Sequence, residues 1–386
     1  MAAVDEDAAA LIQRLHDSPA MAALAVTGAG SEALAWLLAV PGASRTVLEA
    51  VVPYSPGSMV ELLGWEPAQA ASPETARAMA AAAYARARRF RPGTDVPTLG
   101  VACTAAIATD RVKRGQHRAH VAVWNGEQVR TWSLVLAKGL RDRAAEEHLV
   151  SQLVLRALAE TADAGEVELV LADGEAVETS AQPLGGELAR LLAEQIGTLT
   201  AYDTQTFTPD DPIRAAILPG SFNPLHHAHF HLARVAEKRL GRPVLYEMSV
   251  TNVDKPPLTA AEIRGRLEQF EGERRRVVLT CAPLYREKAR LLPGCTFVIG
   301  YDTAARLLDP VYYDGSHAGM LAALDEVREA GCNFLIAGRE VGGEFRTLAD
   351  LPVPPGYGAM FDGLAEVEFR IDISSTELRQ RGFHAG

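Results

Sequence analysis

The sequence predicts an α/β protein of two domains, with a parallel sheet in the C-terminal one. Three observations carry that prediction. The chain has 386 residues, more than one hydrophobic core usually holds. From Ile213 onward, short apolar runs ("AAILPG", "VLYEMSV", "RVVLT", "TFVIG", "NFLIAGR") alternate with helical periodicities. The first of those runs also passes through a glycine-containing turn straight into a helix, "AAILPGSFNPLHHAHFHLARVAEKRL".

The N-terminal elements follow in order. "DAAALIQRLHDS" has a helical period and "RTVLEAVVPYS" reads as a strand. "SPETARAMAAAAYARARRF" reads as a helix with Ser72 as its cap and basic residues at its far end, which suits the helix dipole. "TLGVACTAAI" is a strand, and "HRAHVAVWNGEQVRTWSLVL" is a hairpin turning at Asn125-Gly126. "RDRAAEEHLVSQLVLRALAET" closes the region as an amphipathic helix. A middle stretch holds "EVELVLADG", a helix in "GGELARLLAEQIG" and the polar "YDTQTFTPDDP", whose end reads as a linker. The expected division is a domain over 1–165, a connecting segment over 166–212 and a second domain over 213–386.

Composition narrows the function. With 48% apolar and 23% charged residues the chain is globular, not disordered. A net charge of −11 repels nucleic-acid backbones, so no nucleic-acid partner is expected, although local amides, imidazoles and arginines can still bind a small anion. Cys103, Cys281, Cys295 and Cys332 lack any CxxC spacing and read as reduced thiols. The N-terminus is acidic where a signal peptide would be basic, and no apolar run approaches a membrane span. A cytoplasmic location and no membrane association are expected.

The candidate site is "GSFNPLHHAHFHL" (Gly220 to Leu232), with four histidines in six positions. A strand-to-helix turn presents backbone N–H groups and a positive helix end to an anion. Gly220 allows close backbone approach to a ligand. His226 and His229 are three apart, share one face of a first helical turn, and can donate to phosphate oxygens. Three other readings stay open, one of them that the whole cluster is incidental decoration of a helix. His227 and His231 have the i, i+4 spacing of a zinc pair, but the glutamate of that motif is missing and no nearby carboxylate completes the set. They also fit as ordinary solvated helix positions.

Gly220-x-Phe222-x-Pro224-x-His226-x-x-His229 resembles the GxFxPxHxGH signature of the nucleotidyltransferase superfamily, with Ala228 where its glycine stands. "TFVIGYDTAARL" is similar to that superfamily's GxD element near the nucleotide ribose, through Gly300 and Asp302. "FRIDISSTELR" is similar to its ISSTxxR element, through Ser374, Ser375, Thr376 and Arg379. Read without the resemblance, this last stretch is a helix N-terminus with a Ser374–Glu377 capping box. The ISST form resembles nicotinamide- or nicotinate-mononucleotide adenylyltransferases more than cytidylyltransferases, which carry RTEGIST there.

The resemblance implies a Rossmann-like fold and ATP-dependent adenylyl transfer to a pyridine mononucleotide, with Mg²⁺ on the phosphates. It implies catalytic roles for His226, His229 and Arg379. Nucleotide contacts follow at Gly220, Ser221, Phe222, Gly300, Asp302, Ser374, Ser375 and Thr376, and substrate contacts at Asn223, Lys255, Arg264 and Arg339. No metal site built from the chain's own side chains is expected, and a homo-oligomer is. Alternatives are transfer to another phosphate acceptor, a non-catalytic nucleotide sensor and a metal-dependent hydrolase.

Ala25 to Gly64 resembles the C-terminal domain of the competence-damage-inducible CinA family, best at "VPGAS" and "VVPYS". That family includes enzymes that deamidate nicotinamide mononucleotide. It carries ESCTGG where this chain has Val26-Thr27-Gly28-Ala29-Gly30-Ser31, and a GIAGP loop where this chain has "GVACTAAI". The resemblance implies an altered nucleotide-amide pocket at Thr27, Ser31, Tyr54 and Ser55, with a structural, dimerising or regulatory role favoured over deamidation. As turn chemistry, "PYSPGS" needs no such pocket.

Overall fold

A computed structural model describes residues 6–90, 96–110, 115–251, 256–271 and 275–370. The chain divides into two compact units, one of residues 1–63 with 67–186 and the other of 64–66 with 187–386.

In the first unit the chain runs through α1 (Glu6–Asp17), β1 (Met21–Thr27), α2 (Ser31–Ala39), β2 (Val47–Val51), α3 (Pro56–Leu63) and α4 (Pro73–Phe90). It continues through β3 (Thr98–Ala106), β4 (His117–Trp124), β5 (Gln128–Leu136), α5 (Arg143–Thr161) and β6 (Val177–Pro183). Its six-stranded sheet has the order β2-β1-β3-β4-β5-β6. The first two pairings are parallel and the rest antiparallel. Capping fixes the helix starts: Ser72 Oγ accepts from the Thr75 N–H at 3.2 Å, and Asp142 Oδ1 from the Ala145 N–H at 2.8 Å. The Asn125 side chain closes the β4–β5 hairpin by accepting from the Glu127 and Gln128 amides. "GVACTAAI" lies within and just beyond β3, so it is strand and not a glycine-rich loop.

The second unit holds α6 (Glu187–Leu192), β7 (Thr198–Ala201), β8 (Phe207–Pro209), β9 (Ala216–Pro219), α7 (His227–Leu240), β10 (Val244–Ser249), α8 (Ala260–Glu268), β11 (Val277–Thr280) and α9 (Tyr285–Leu291). After these come β12 (Thr296–Gly300), α10 (Tyr301–Leu307), α11 (His317–Glu329), β13 (Asn333–Ala337), the hairpin β14 (Arg339–Val341) and β15 (Glu344–Arg346), and β16 (Phe361–Gly363). Its eight-stranded sheet has the order β16-β13-β12-β9-β10-β11-β7-β8. The six strands from β16 to β11 are parallel; β7 and β8 extend the sheet antiparallel. Numbered by chain position, the parallel strands run 3-2-1-4-5-6, the doubly wound order of dinucleotide-binding folds.

The two faces of this sheet are filled by different helices. Leu232, Ala233 and Ala236 of α7 and Ile263 and Leu267 of α8 pack with Leu218, Tyr246, Val298 and Leu335. Tyr285 of α9 lies against Phe297 and Phe334, the alternate positions of the same strands.

One organisational difference from the sequence reading concerns residues 166–212. They are not a connector: β6 is the edge of the first sheet, while β7 and β8 belong to the second. The "VETSAQP" of β6 is exposed at every position but its first, so its composition resembles a linker's. Among the described residues no helix is long and apolar enough to cross a membrane.

Candidate functional site

The doubly wound order places the candidate site. The strand order reverses between β9 and β12, the position where open α/β sheets bind ligands beyond their carboxyl ends. Ala216 pairs with Thr296 and Ile217 with Phe297. Gly220 and Gly300 each lie four residues beyond the paired Ala216 and Thr296, so the loops following them leave adjacent strands at the same level.

The loop is built around Phe222. Its ring is fully buried and meets His229, Tyr246 and Phe270 edge-on, with centroids 5.1, 5.4 and 5.3 Å away. Its backbone has φ 45°, a left-handed conformation that is costly for a bulky residue and persists only where its surroundings hold it. The ring also lies close to Gly220: a Cβ there would come within 2.7 Å of the Phe222 ring. Glycine is required for that close approach. The Gly220 N–H donates to the Glu247 carbonyl at 2.9 Å, fastening the loop to β10.

His226 caps α7 in an extended conformation, and its N–H donates to His229 Nδ1 at 3.3 Å. The two imidazoles stack with centroids 3.8 Å apart. Burial, with the His226 ring adding to it, pushes His229 down to about 3, and burial also lowers His226. His229 is therefore neutral near pH 7. Because its Nδ1 accepts, its proton sits on Nε2, which remains as a donor. His227 is exposed at the first position of α7, and the exposed His231 stacks on Phe369 at 5.5 Å. Among the described residues no group of three or more His, Cys, Asp or Glu side chains is placed to hold a metal ion.

Other residues singled out by sequence are distributed as follows. Ser221 is exposed and Asn223 half-buried in the same loop. Gly300 ends β12, and Asp302, in the first turn of α10, forms an ion pair with Arg339 of β14. Arg264 is exposed on α8. Lys255, Ser374, Ser375, Thr376 and Arg379 lie outside the described residues.

Contacts that sequence reading missed hold the loop from behind. Gln269, at the end of α8, accepts from the Leu225 N–H at 2.8 Å and donates to the Phe222 carbonyl at 3.0 Å. Arg266 donates to the Ser221 carbonyl at 3.1 Å. Beneath β10, the carboxylate of the buried Glu247 accepts from Lys288 Nζ at 2.6 and 2.7 Å and from the Thr280 hydroxyl at 2.6 Å. The only sequence signal for the first pair is their i, i+3 spacing, which puts Arg266 and Gln269 on one helix face.

In the first unit, Ser31 opens α2 after Gly28 and Gly30, whose positive φ values of 81° and 95° turn successive amides inward. Glu147 Oε1 accepts from the Gly30 N–H (3.0 Å), the Ser31 N–H (2.6 Å), the Ser31 hydroxyl (2.9 Å) and the Glu32 N–H (3.3 Å). One turn earlier on α5, Arg143 donates to the Ala108 carbonyl at 2.8 Å and to the Tyr54 hydroxyl at 3.4 Å. Ser31 and Tyr54 thus meet the first turns of the same helix. Thr27 ends β1, buried, and Ser55 Oγ accepts from the Ser58 N–H at 3.1 Å as the start of α3. Glu147 and Arg143 were legible only as an i, i+4 pair.

Residues 217–381 match the family model described as cytidylyltransferase-like, so the C-terminal part contains a domain of nucleotidyltransferase type. No curated protein matches the chain. Among solved structures, the N-terminal part has CinA-family neighbours. The competence/damage-inducible protein CihA from Agrobacterium tumefaciens is 21% identical, with 42% of this chain and 99% of that one covered and a TM-score of 0.33. A competence or damage-inducible protein from Enterobacter asburiae is 18% identical, covering 41% and 97% at a TM-score of 0.32. A CinA superfamily protein from Enterobacter cloacae is 19% identical, covering 42% and 97% at the same score.

Proposed function

We propose that the second unit transfers an adenylyl group from ATP to nicotinamide or nicotinate mononucleotide, giving a dinucleotide and pyrophosphate. The observation that carries this reading is the pair of stacked, half-buried imidazoles at the switch point of a 3-2-1-4-5-6 sheet. The choice of ATP and a pyridine mononucleotide rests on the ISST-type element at Ser374–Thr376, as does the triphosphate role of Arg379.

In this reading the acceptor's phosphate attacks the α-phosphorus of ATP in line and pyrophosphate leaves, with no covalent enzyme intermediate. A neutral His229 suits the task. Its Nε2–H donates to a phosphate oxygen as charge builds, without repelling a cationic counter-ion on the nucleotide. Magnesium is part of the nucleotide substrate here, bound by phosphate oxygens and water. The fixed loop orients reacting groups, and orientation supplies much of such a rate enhancement.

For the first unit the favoured role is structural or regulatory. The Glu147 carboxylate already fills the amide nest at the start of α2, where a nucleotide's phosphate would compete with it. The test of the main reading is pyrophosphate release from ATP and Mg²⁺ with and without mononucleotide. Release should depend on the mononucleotide and be abolished in a folded His229→Ala protein; undiminished release by that variant would contradict the assignment.

A further inference from the structure

The signature loop holds a conformation its own sequence does not favour. Phe222 is left-handed, and the loop's polar backbone groups need partners. One side chain supplies two of them. The Gln269 amide spans the loop: its oxygen accepts from the Leu225 N–H at 2.8 Å, and its nitrogen donates to the Phe222 carbonyl at 3.0 Å. The same nitrogen donates to the Arg266 carbonyl at 3.3 Å, which orients the amide from its own helix. Leu225 directly precedes His226, whose N–H fixes the tautomer of His229.

We infer that Gln269 is a positioning residue for the transfer site: its carboxamide locks Phe222 and Leu225 in place, and so holds the His226 N–H against His229 Nδ1. The inference rests on the adenylyl-transfer reading for its kinetic consequence, but not for its structural one. A carboxamide is the side chain the geometry calls for, because donor and acceptor must lie side by side to meet a carbonyl and an N–H three residues apart. Glutamate keeps the acceptor for Leu225 but sets a carboxylate against the Phe222 carbonyl. On protonation it regains the donor.

The experiment uses the full chain as wild type, Gln269→Ala and Gln269→Glu, with histidines labelled with ¹⁵N and His229 assigned through His229→Ala. In the wild type, His229 should show the Nε2–H tautomer alone. In Gln269→Ala a mixture of tautomers should appear, and kcat should fall roughly 10- to 100-fold while KM for ATP moves less than about 3-fold. The ratio of Gln269→Glu to wild-type kcat should rise as pH falls, which a merely structural loss would not produce. An unchanged tautomer with unchanged kcat in Gln269→Ala would overturn the inference, as would a flat pH ratio for the near-isosteric Gln269→Glu. If the wild type transfers nothing, the adenylyl reading falls, and the tautomer signals alone decide the role of Gln269.

Discussion

Gly220→Ala puts the architecture of the loop to a direct test. The added Cβ would lie 2.7 and 2.8 Å from Cε1 and Cζ of Phe222, and 3.2 Å from its Cδ1. Carbon atoms in contact normally keep about 3.5–4.0 Å apart, so the ring or the backbone must move by roughly 1 Å. The ring has little room to yield, because Tyr246, Phe270 and His229 surround it at 5.4, 5.3 and 5.1 Å. Overpacking a fixed core of this kind costs about 1–3 kcal/mol. The same displacement reaches His229 through its edge contact, and a misplacement of about 1 Å at a reacting group costs on the order of 100-fold in rate. Urea unfolding followed by a probe in the second unit measures the first effect; steady-state pyrophosphate release measures the second. A variant within about 0.5 kcal/mol and about 2-fold of wild type would refute the close packing of Phe222 on Gly220.

Three further outcomes are expected. Lys288→Met strands the Glu247 carboxylate in a buried site, and should cost about 3–5 kcal/mol in urea unfolding; adding Glu247→Gln should recover part of the loss. Burial, helped by Arg118, pushes His120 down to about 4, and burial pushes His229 to about 3, against an ordinary 6.5. The unfolded chain therefore takes up protons that the folded chain refuses, so this contribution to stability is present above about pH 6.5 and is lost as pH falls from there toward about 4 for His120 and about 3 for His229. Urea midpoints across that window should decline, and less steeply in His120→Asn; a flat profile would contradict the buried neutral state. Finally, the full chain carrying His229→Ala should release no ammonia from nicotinamide mononucleotide, because Glu147 holds the Ser31 nest. Ammonia at a catalytic rate would overturn the structural role given to the first unit.

Five of the six parallel strands of the second unit were legible because strands buried on both faces read as continuous apolar runs, whereas Phe361–Gly363 is too short and too little buried to do so. The antiparallel additions Thr198–Ala201 and Phe207–Pro209 were not: threonines buried there against strand neighbours look like loop residues in the sequence. The exposed edge strand Val177–Pro183 was hidden for the opposite reason, since it buries almost nothing. At the candidate site the local motif was legible, because a strand, a turn and a helix start follow one another within Ala216 to His227. What holds it was not. Gln269 acts 44 residues from Leu225 in sequence, and Lys288 acts 41 from Glu247, so nothing local marks either contact. The adenylyltransferase resemblance singled out Arg264, and Arg266, two positions on, is the residue that donates to the Ser221 carbonyl.

The adenylyl transfer to a pyridine mononucleotide proposed for the second unit can be measured outright. Incubation of the full chain with ATP, Mg²⁺ and a panel of phosphate acceptors (nicotinamide mononucleotide, nicotinate mononucleotide and phosphopantetheine among them), read by product mass, tests it most directly. The expected result is a dinucleotide carrying AMP from one or both pyridine acceptors, in step with pyrophosphate. A product formed only with another acceptor, or only when CTP replaces ATP, would contradict it.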